Sequence, residues 1–343
     1  MRIPRLTVLI TLLIAVQTFA WSREKQVRVV TTLGVLRSLT EEIGGDRVQV
    51  VSLANPLQDP HYIQPKPTLM QSARRADLFI EIGLQLELWT QKVVDGAGNP
   101  KIQLGRPGRV IASEGIRTLE VPAILSREWG DIHPYGNPHV WLDPVNARRL
   151  AWNISQGLER VDPEGTEQYE KNRQSFLDRL DAALYGQELV RTVGGGKLNR
   201  ASLDGTLFDY LEEQNLMGRL GGWLGRSRPL WGKKIITYHK TWIYFANRFG
   251  LRIINEIEEF PGIAPAARHR DRVVEQVNRE GISTLVISNF YRRKPAEYIS
   301  QKTGANVVTI PIDVGAVEGV DDYFQLIDHI LSQILGSVSG NGE

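Results

Sequence analysis

The sequence predicts an α/β protein of two lobes, each a roughly four-stranded parallel sheet flanked by helices, with one long helix joining them. Three observations carry this. From residue 26 onward, short β-branched runs alternate with segments of helical spacing, the pattern of parallel sheets with helices on both faces. The alternation occurs twice, with four strand–helix steps each time. Between the two series lies a stretch of helical periodicity with no strand in it. The 343 residues suffice for two ordinary domains with real cores.

In chain order, residues 27–32 are β-rich, 36–43 are helical up to Gly44-Gly45, and 48–53 are β-rich again. Residues 67–75 predict a helix, 78–82 a buried strand, 86–94 a helix and 109–112 a short fourth strand. Asp143 is a good N-cap and Pro144 fits the first helical position, so a helix starts there and runs to about 158. Asp162-Pro163 starts the next. Its Tyr169, Phe176, Leu180 and Leu184 share one face at spacings of seven, four and four. Carried through to residue 193, this helix would be roughly 45 Å long, a strut between two lobes; a break near Gly186 gives two shorter helices instead. Residues 194–231 are irregular and Gly-interrupted, an insertion with some helix around 207–216. The strands then resume at 234–238, 252–257, 284–288 and 307–312. The helices between and after them fall at 242–249, 270–279, 295–303 and 323–335, the first three stopped by Gly250, Gly281 and Gly304. The expected division is a first lobe over 26–162, a connecting helix over 163–193 and a second lobe over 194–340.

Residues 1–20 predict a cleaved secretory signal peptide. Arg2 and Arg5 precede an apolar core over 6–16, and Thr18-Phe19-Ala20 ends in a small residue. The apolar run is shorter than the ~20 residues a membrane span needs. No Cys follows it to take a lipid, and the chain has no Cys at all, so neither disulfides nor thiolate ligands are available. A soluble bacterial periplasmic protein fits best. The formal net charge is +2, and removing Arg2 and Arg5 leaves zero. With no basic stripe interleaved with aromatics, nucleic acid is not expected as a partner.

Open α/β sheets bind ligands beyond the carboxyl ends of their strands. Four candidate metal ligands fall at such places: His61 after the second strand, His139 in the loop leading into Asp143-Pro144, His239 at the end of Ile235-Ile236-Thr237-Tyr238, and Asp313 at the end of the last strand. Two come from each half, so a cleft between lobes would gather them. Three imidazoles and a carboxylate suit Zn2+ in tetrahedral geometry; Mn2+ tolerates the set but favours more oxygen. His133 reads as a cleft-rim residue or a second weak capture site. His269 reads as a solvated helix start, and His329 as a residue of the last amphipathic helix. Asp143 reads as a cap or an acceptor for an imidazole N–H, and Glu256, Glu258 and Glu259 as a polar loop from which a carboxylate can accept from a ligand His.

The chain resembles the solute-binding proteins of zinc and manganese ABC importers. The stretches that carry the resemblance are Asp59-Pro60-His61, Asn137-Pro138-His139-Val140-Trp141-Leu142-Asp143-Pro144, Tyr238-His239-Lys240-Thr241-Trp242 with Tyr244-Phe245 and Phe249-Gly250-Leu251, Phe260-Pro261-Gly262-Ile263-Ala264-Pro265, and Pro311-Ile312-Asp313. They cover nearly all of the mature chain in order. The resemblance implies two lobes joined by a long rigid helix, with the metal buried between them on His61, His139, His239 and Asp313, and delivery to an inner-membrane ABC permease by a monomeric receptor. His at the third position, where manganese-type members often have Glu, tilts the expectation to zinc. Three departures stand out: no His- and acid-rich loop after His61, Lys240 after the third ligand, and the length of the insertion. Two other functions compete. A secreted zinc hydrolase would need an open fourth metal position with Glu256 or Glu259 nearby, and four protein ligands close that position. A metal-binding adhesin is the other.

Overall fold

The computed structural model describes residues 26–122, 133–260 and 262–339. The expected signal peptide over 1–20 and Pro261 of the quoted motif lie outside them. The first sheet holds β1 (Val27–Thr31), β2 (Val48–Ser52), β3 (Leu78–Glu81) and β4 (Arg109–Ile111), all parallel, in the order β2-β1-β3-β4. Helices α1 (Gly34–Gly44), α2 (Pro67–Arg74) and α3 (Thr90–Ala97) connect its strands. Two helices follow, α4 (Pro144–Val161) and α5 (Thr166–Tyr185), and then α6 (Gln187–Val193), α7 (Gly195–Asp204), α8 (Leu207–Glu213) and α9 (Gly222–Arg226). The second sheet holds β5 (Lys234–Thr237), β6 (Arg252–Glu256), β7 (Thr284–Ser288) and β8 (Asn306–Ile310), in the matching order β6-β5-β7-β8. Its helices are α10 (Ile243–Phe249), α11 (Ala267–Glu280), α12 (Lys294–Thr303) and α13 (Tyr323–Ser339). No helix among the described residues is long and apolar enough to cross a membrane.

Two expected boundaries move. The helix expected over 86–94 begins only at Thr90. Gly83, Leu84 and Gln85 all have positive φ, and the Glu87 carboxylate turns back to accept from the amides of Ile82 (2.9 Å) and Gly83 (3.0 Å), which holds a tight turn where a helix would start. The strut expected over 163–193 is α5 alone, twenty residues and about 30 Å long. Gly186 stops it at φ 87°, ψ 140°, a conformation essentially closed to side-chain-bearing residues, and a Cβ there would stand 2.7 Å from the Cα of Gly221.

Tyr169, Phe176, Leu180 and Leu184, the predicted face of α5, are all buried. They sit in one large apolar cluster that takes in the first lobe, α4, α5, α13 and one face of the second sheet through Ile235, Val286 and Ile310. The other face of that sheet, carrying Ile236, Leu285 and Ile287, packs with α11 and α12 into a separate cluster of eleven residues. The insertion folds against α5: Tyr185 Oη meets Ser202 Oγ at 2.7 Å, and Trp223 Nε1 donates to Asp328 of α13 at 2.8 Å.

Candidate metal centre

The same local device occurs twice in the first lobe. In Asp59-Pro60-His61, Asp59 Oδ1 accepts from the His61 backbone N–H at 3.0 Å and pairs with His61 Nδ1 at 2.6 Å. In Asn137-Pro138-His139, Asn137 Oδ1 accepts from the His139 backbone N–H at 3.0 Å and pairs with His139 Nδ1 at 2.9 Å. An Asx side chain two residues ahead of an imidazole thus folds the backbone and orients the ring together. The Asn137 amide is held in that sense because its Nδ2 donates to Glu120 Oε2 (2.8 Å) and to the carbonyl of Lys240 in the other lobe. The third imidazole, His239, directly follows Tyr238 at the end of β5, and its Nδ1 lies 2.9 Å from Glu258 Oε2.

All three rings therefore have an oxygen acceptor at Nδ1. That fixes the proton there and leaves each Nε2 with a bare lone pair. The rings converge: centroid separations are 5.3 Å for His61–His139, 5.6 Å for His61–His239 and 6.0 Å for His139–His239. One nitrogen from each lies within 4.8 Å of the others, the spacing at which a single ion is shared. His139 and His239 are buried, and Trp141 backs His139 at 5.4 Å. Burial, with the neighbouring imidazoles, holds His139 well below the ordinary histidine range, so it is neutral and ready to bind. Burial raises the Asp59 carboxyl, and the hydrogen bond and charge of His61 more than offset that, leaving it below the usual carboxylate range.

Asp313, the fourth expected ligand, stands outside this triad. It follows β8 in the second lobe, and its carboxylate reaches the start of α1 in the first. Gly34 N–H donates to Oδ2 at 2.9 Å, and Val35 N–H and Val314 N–H donate to Oδ1 at 2.6 and 2.9 Å. It supplies the N-terminal acceptor that α1, preceded by Leu33, lacks locally. Gly34 makes the approach possible, since a Cβ there would stand 2.4 Å from the Val314 carbonyl oxygen. Burial pushes the Asp313 carboxyl up to about 6 in spite of the amides.

The other groups sort differently from expectation. His133 reaches the edge of the site: its Nε2 lies 3.1 Å from His61 Nε2, although, like Asp313, it stands outside the mutual spacing of the triad. Of the three second-lobe glutamates, Glu258 alone braces a triad imidazole. Asp143 caps α4, accepting from Val145 N–H at 2.9 Å, and its carboxylate pairs with Arg248 at 2.8 and 2.9 Å instead of meeting an imidazole. His269 is buried, with Nε2 on the Glu256 carbonyl at 2.9 Å, and is not the solvated helix start expected of it. Asn137 was missed, although the parallel between Asp59-Pro60-His61 and Asn137-Pro138-His139 is visible in the sequence.

A family model, zinc-uptake complex component A, periplasmic, matches residues 29–185 and 226–336, leaving out most of the insertion. The chain is 26% identical to the iron-binding protein YfeA of Yersinia pestis over 90% of this chain and 86% of that one. It is 25% identical to the manganese ABC transporter substrate-binding lipoprotein PsaA of Streptococcus mitis, over 90% and 88%. The crystal structure of ZnuA has the same fold, with a TM-score of 0.68, covering 92% of this chain and all of that one at 22% identity.

Proposed function

The chain belongs to the zinc-uptake complex component A family, the metal-binding substrate-binding proteins of ABC importers, and from that premise we propose that it captures one divalent transition-metal ion in the interlobe cleft and hands it to an ABC permease. Zinc is the favoured ion, with manganese next. The observation that carries this reading is the convergence of three imidazoles, each proton-fixed at Nδ1, on a shared point between the lobes. A nitrogen-rich set suits zinc at about 2.0–2.1 Å and suits manganese less. The relatives named for iron and manganese show that likeness of sequence alone does not select the ion. His139, already neutral, needs no deprotonation on binding near neutral pH. The receptor acts as a monomer outside the cytoplasmic membrane after removal of residues 1–20. His61, His139 and His239 are its proposed ligands.

The experiment is metal competition. Mature protein is stripped, offered zinc and manganese in equal excess, dialysed and assayed for bound metal, alongside His239→Ala. The expected result is one zinc per chain, held at least about 100-fold more weakly in the variant. Equal or preferential manganese overturns the choice of ion, and no tight metal overturns the capture function.

A further inference from the structure

We propose that His133 supplies the fourth nitrogen donor to the captured ion and that Asp313 acts as an interlobe latch, so that the loaded site is held by four imidazoles. This rests on the capture reading above and deepens it. His133 Nε2 lies 3.1 Å from His61 Nε2. Two ligands of one tetrahedral ion, each about 2.05 Å from it, stand about 3.3 Å apart, so the two nitrogens already hold nearly that spacing. His61 Nδ1 is committed to Asp59, so the atom His133 approaches is the lone pair that a metal takes. In the metal-free protein the His133 Nε2–H donates to that lone pair. As the ion arrives, His133 passes to its other neutral tautomer, with the proton on Nδ1, and Nε2 turns from His61 onto the ion, closing on His139 and His239, from which it stands apart in the metal-free protein.

The placement of His133 is built into the loop. Gly136 N–H donates to the His133 carbonyl at 3.1 Å, closing a turn at φ 97° for Gly136, and Asn137 N–H donates to Leu119 at 2.8 Å. The turn leads straight into the Asn137 device that orients His139. His133 is half-buried, as His61 is, while His139 and His239 are buried.

Asp313 is engaged elsewhere. Its two oxygens accept three backbone N–H groups, two of them from the other lobe. Swinging onto the ion would strand those buried donors, which is costly, and would release α1 from the second lobe. With the carboxylate so held and a fourth imidazole at hand, the donor set is all nitrogen, which favours zinc over manganese.

The test uses zinc X-ray absorption, which counts imidazoles around the ion, together with chelator competition on full mature chains: wild type, His133→Ala, His133→Asn, Asp313→Asn and His239→Ala. Thermal melts in chelator check that each is folded. Four imidazoles are expected in wild type and in Asp313→Asn, and three in both His133 variants. Zinc should bind the His133 variants at least about tenfold more weakly, with manganese affinity little changed. Three imidazoles in wild type, or a shell unchanged by His133→Ala and His133→Asn, overturns the role of His133 and leaves the triad standing. Loss of one ligand in Asp313→Asn overturns the latch assignment. A wild type that holds no zinc overturns the capture reading itself, and this inference with it.

Discussion

The two lobes share a strand order and differ in what their sheets rest on. The first sheet is buried in the large cluster that continues through α4, α5 and α13. The second sheet gives that cluster only one face, and its outer face rests on the eleven-residue cluster under α11 and α12. The same architecture repeated is therefore anchored unequally. Several bonds join the inner face of the second lobe to the first: Trp141 Nε1 to the Ile312 carbonyl at 2.7 Å, Tyr323 Oη to the Trp141 carbonyl at 2.8 Å, Tyr244 Oη to the Asn137 carbonyl at 2.8 Å, and the Asp313 contacts at α1. Lobe separation as a rigid hinge would break all of these together. None of these bonds comes from the outer layer of the second lobe or from the loops that carry Glu258 and Tyr291 beside His239.

The strongest way to break this asymmetry is to cut the buried ion pair that bridges the halves. Arg248 of α10 forks onto both oxygens of Asp143 at the start of α4 and also reaches the Ser202 carbonyl of the insertion. Arg248→Met should cost about 4 kcal/mol in urea denaturation, because it leaves Asp143 buried and unpaired. Adding Asp143→Asn, which keeps a capping oxygen, should recover a large part of that. A double variant no more stable than the single one would show that the pair is not what joins the halves.

Ile299→Ala in the outer cluster should cost about 3 kcal/mol of local stability. By hydrogen exchange, amides of α11 and α12 should open before those of α5 and α13, and the variant should widen the gap. Uniform exchange across all four helices would contradict the unequal anchoring.

The smallest effect belongs to the far end of the first sheet. Asp77 binds the Arg28 guanidinium at 3.1 Å and Lys101 at 2.8 Å. Burial raises its carboxyl, and the hydrogen bonds to Arg28 and Lys101 overcome this and hold it at about 2. A depressed folded pKa stabilises above the ordinary carboxylate value and loses that contribution as pH falls through the folded one. Its partners Arg28 and Lys101 are exposed, so the effect of the pairing is screened to about 1 kcal/mol. Asp77→Asn should lower stability by that amount at pH 7, and the difference should shrink steadily as pH falls from about 4 through about 2. A difference that does not shrink over that interval would assign the loss to packing instead of charge.

Much of this fold was legible because its strands are short β-branched runs bounded by turns, and the same reading placed His61, His139 and His239 at strand ends. What escaped was governed by distant partners. The Asp313 position could be read, but the direction of its carboxylate depends on amides of Gly34 and Val35, nearly 280 residues away in sequence. The true start of α3 depends on Glu87 turning back onto Ile82 and Gly83. The insertion, with glycines at 194–196, 221, 222 and 225, has no periodicity from which α7 or α9 could be inferred, and it is ordered by packing on α5. His133 was visible as a residue, but its approach to His61 across 72 positions was not.

The acceptors behind the three imidazoles have a consequence in electrostatic terms. Behind His61 and His239 stand carboxylates, Asp59 and Glu258; behind His139 stands an uncharged amide, Asn137. The imidazoles contribute no charge when neutral, and Asp313 has its own compensation in the amides at the start of α1. Glu120 in turn accepts from Asn137, so carboxylates stand behind all three rings, two directly and one through the amide. The space the rings face is thus bordered by negative charge that neutral imidazoles do not cancel, a setting in which a buried cation is compensated and a buried anion is not.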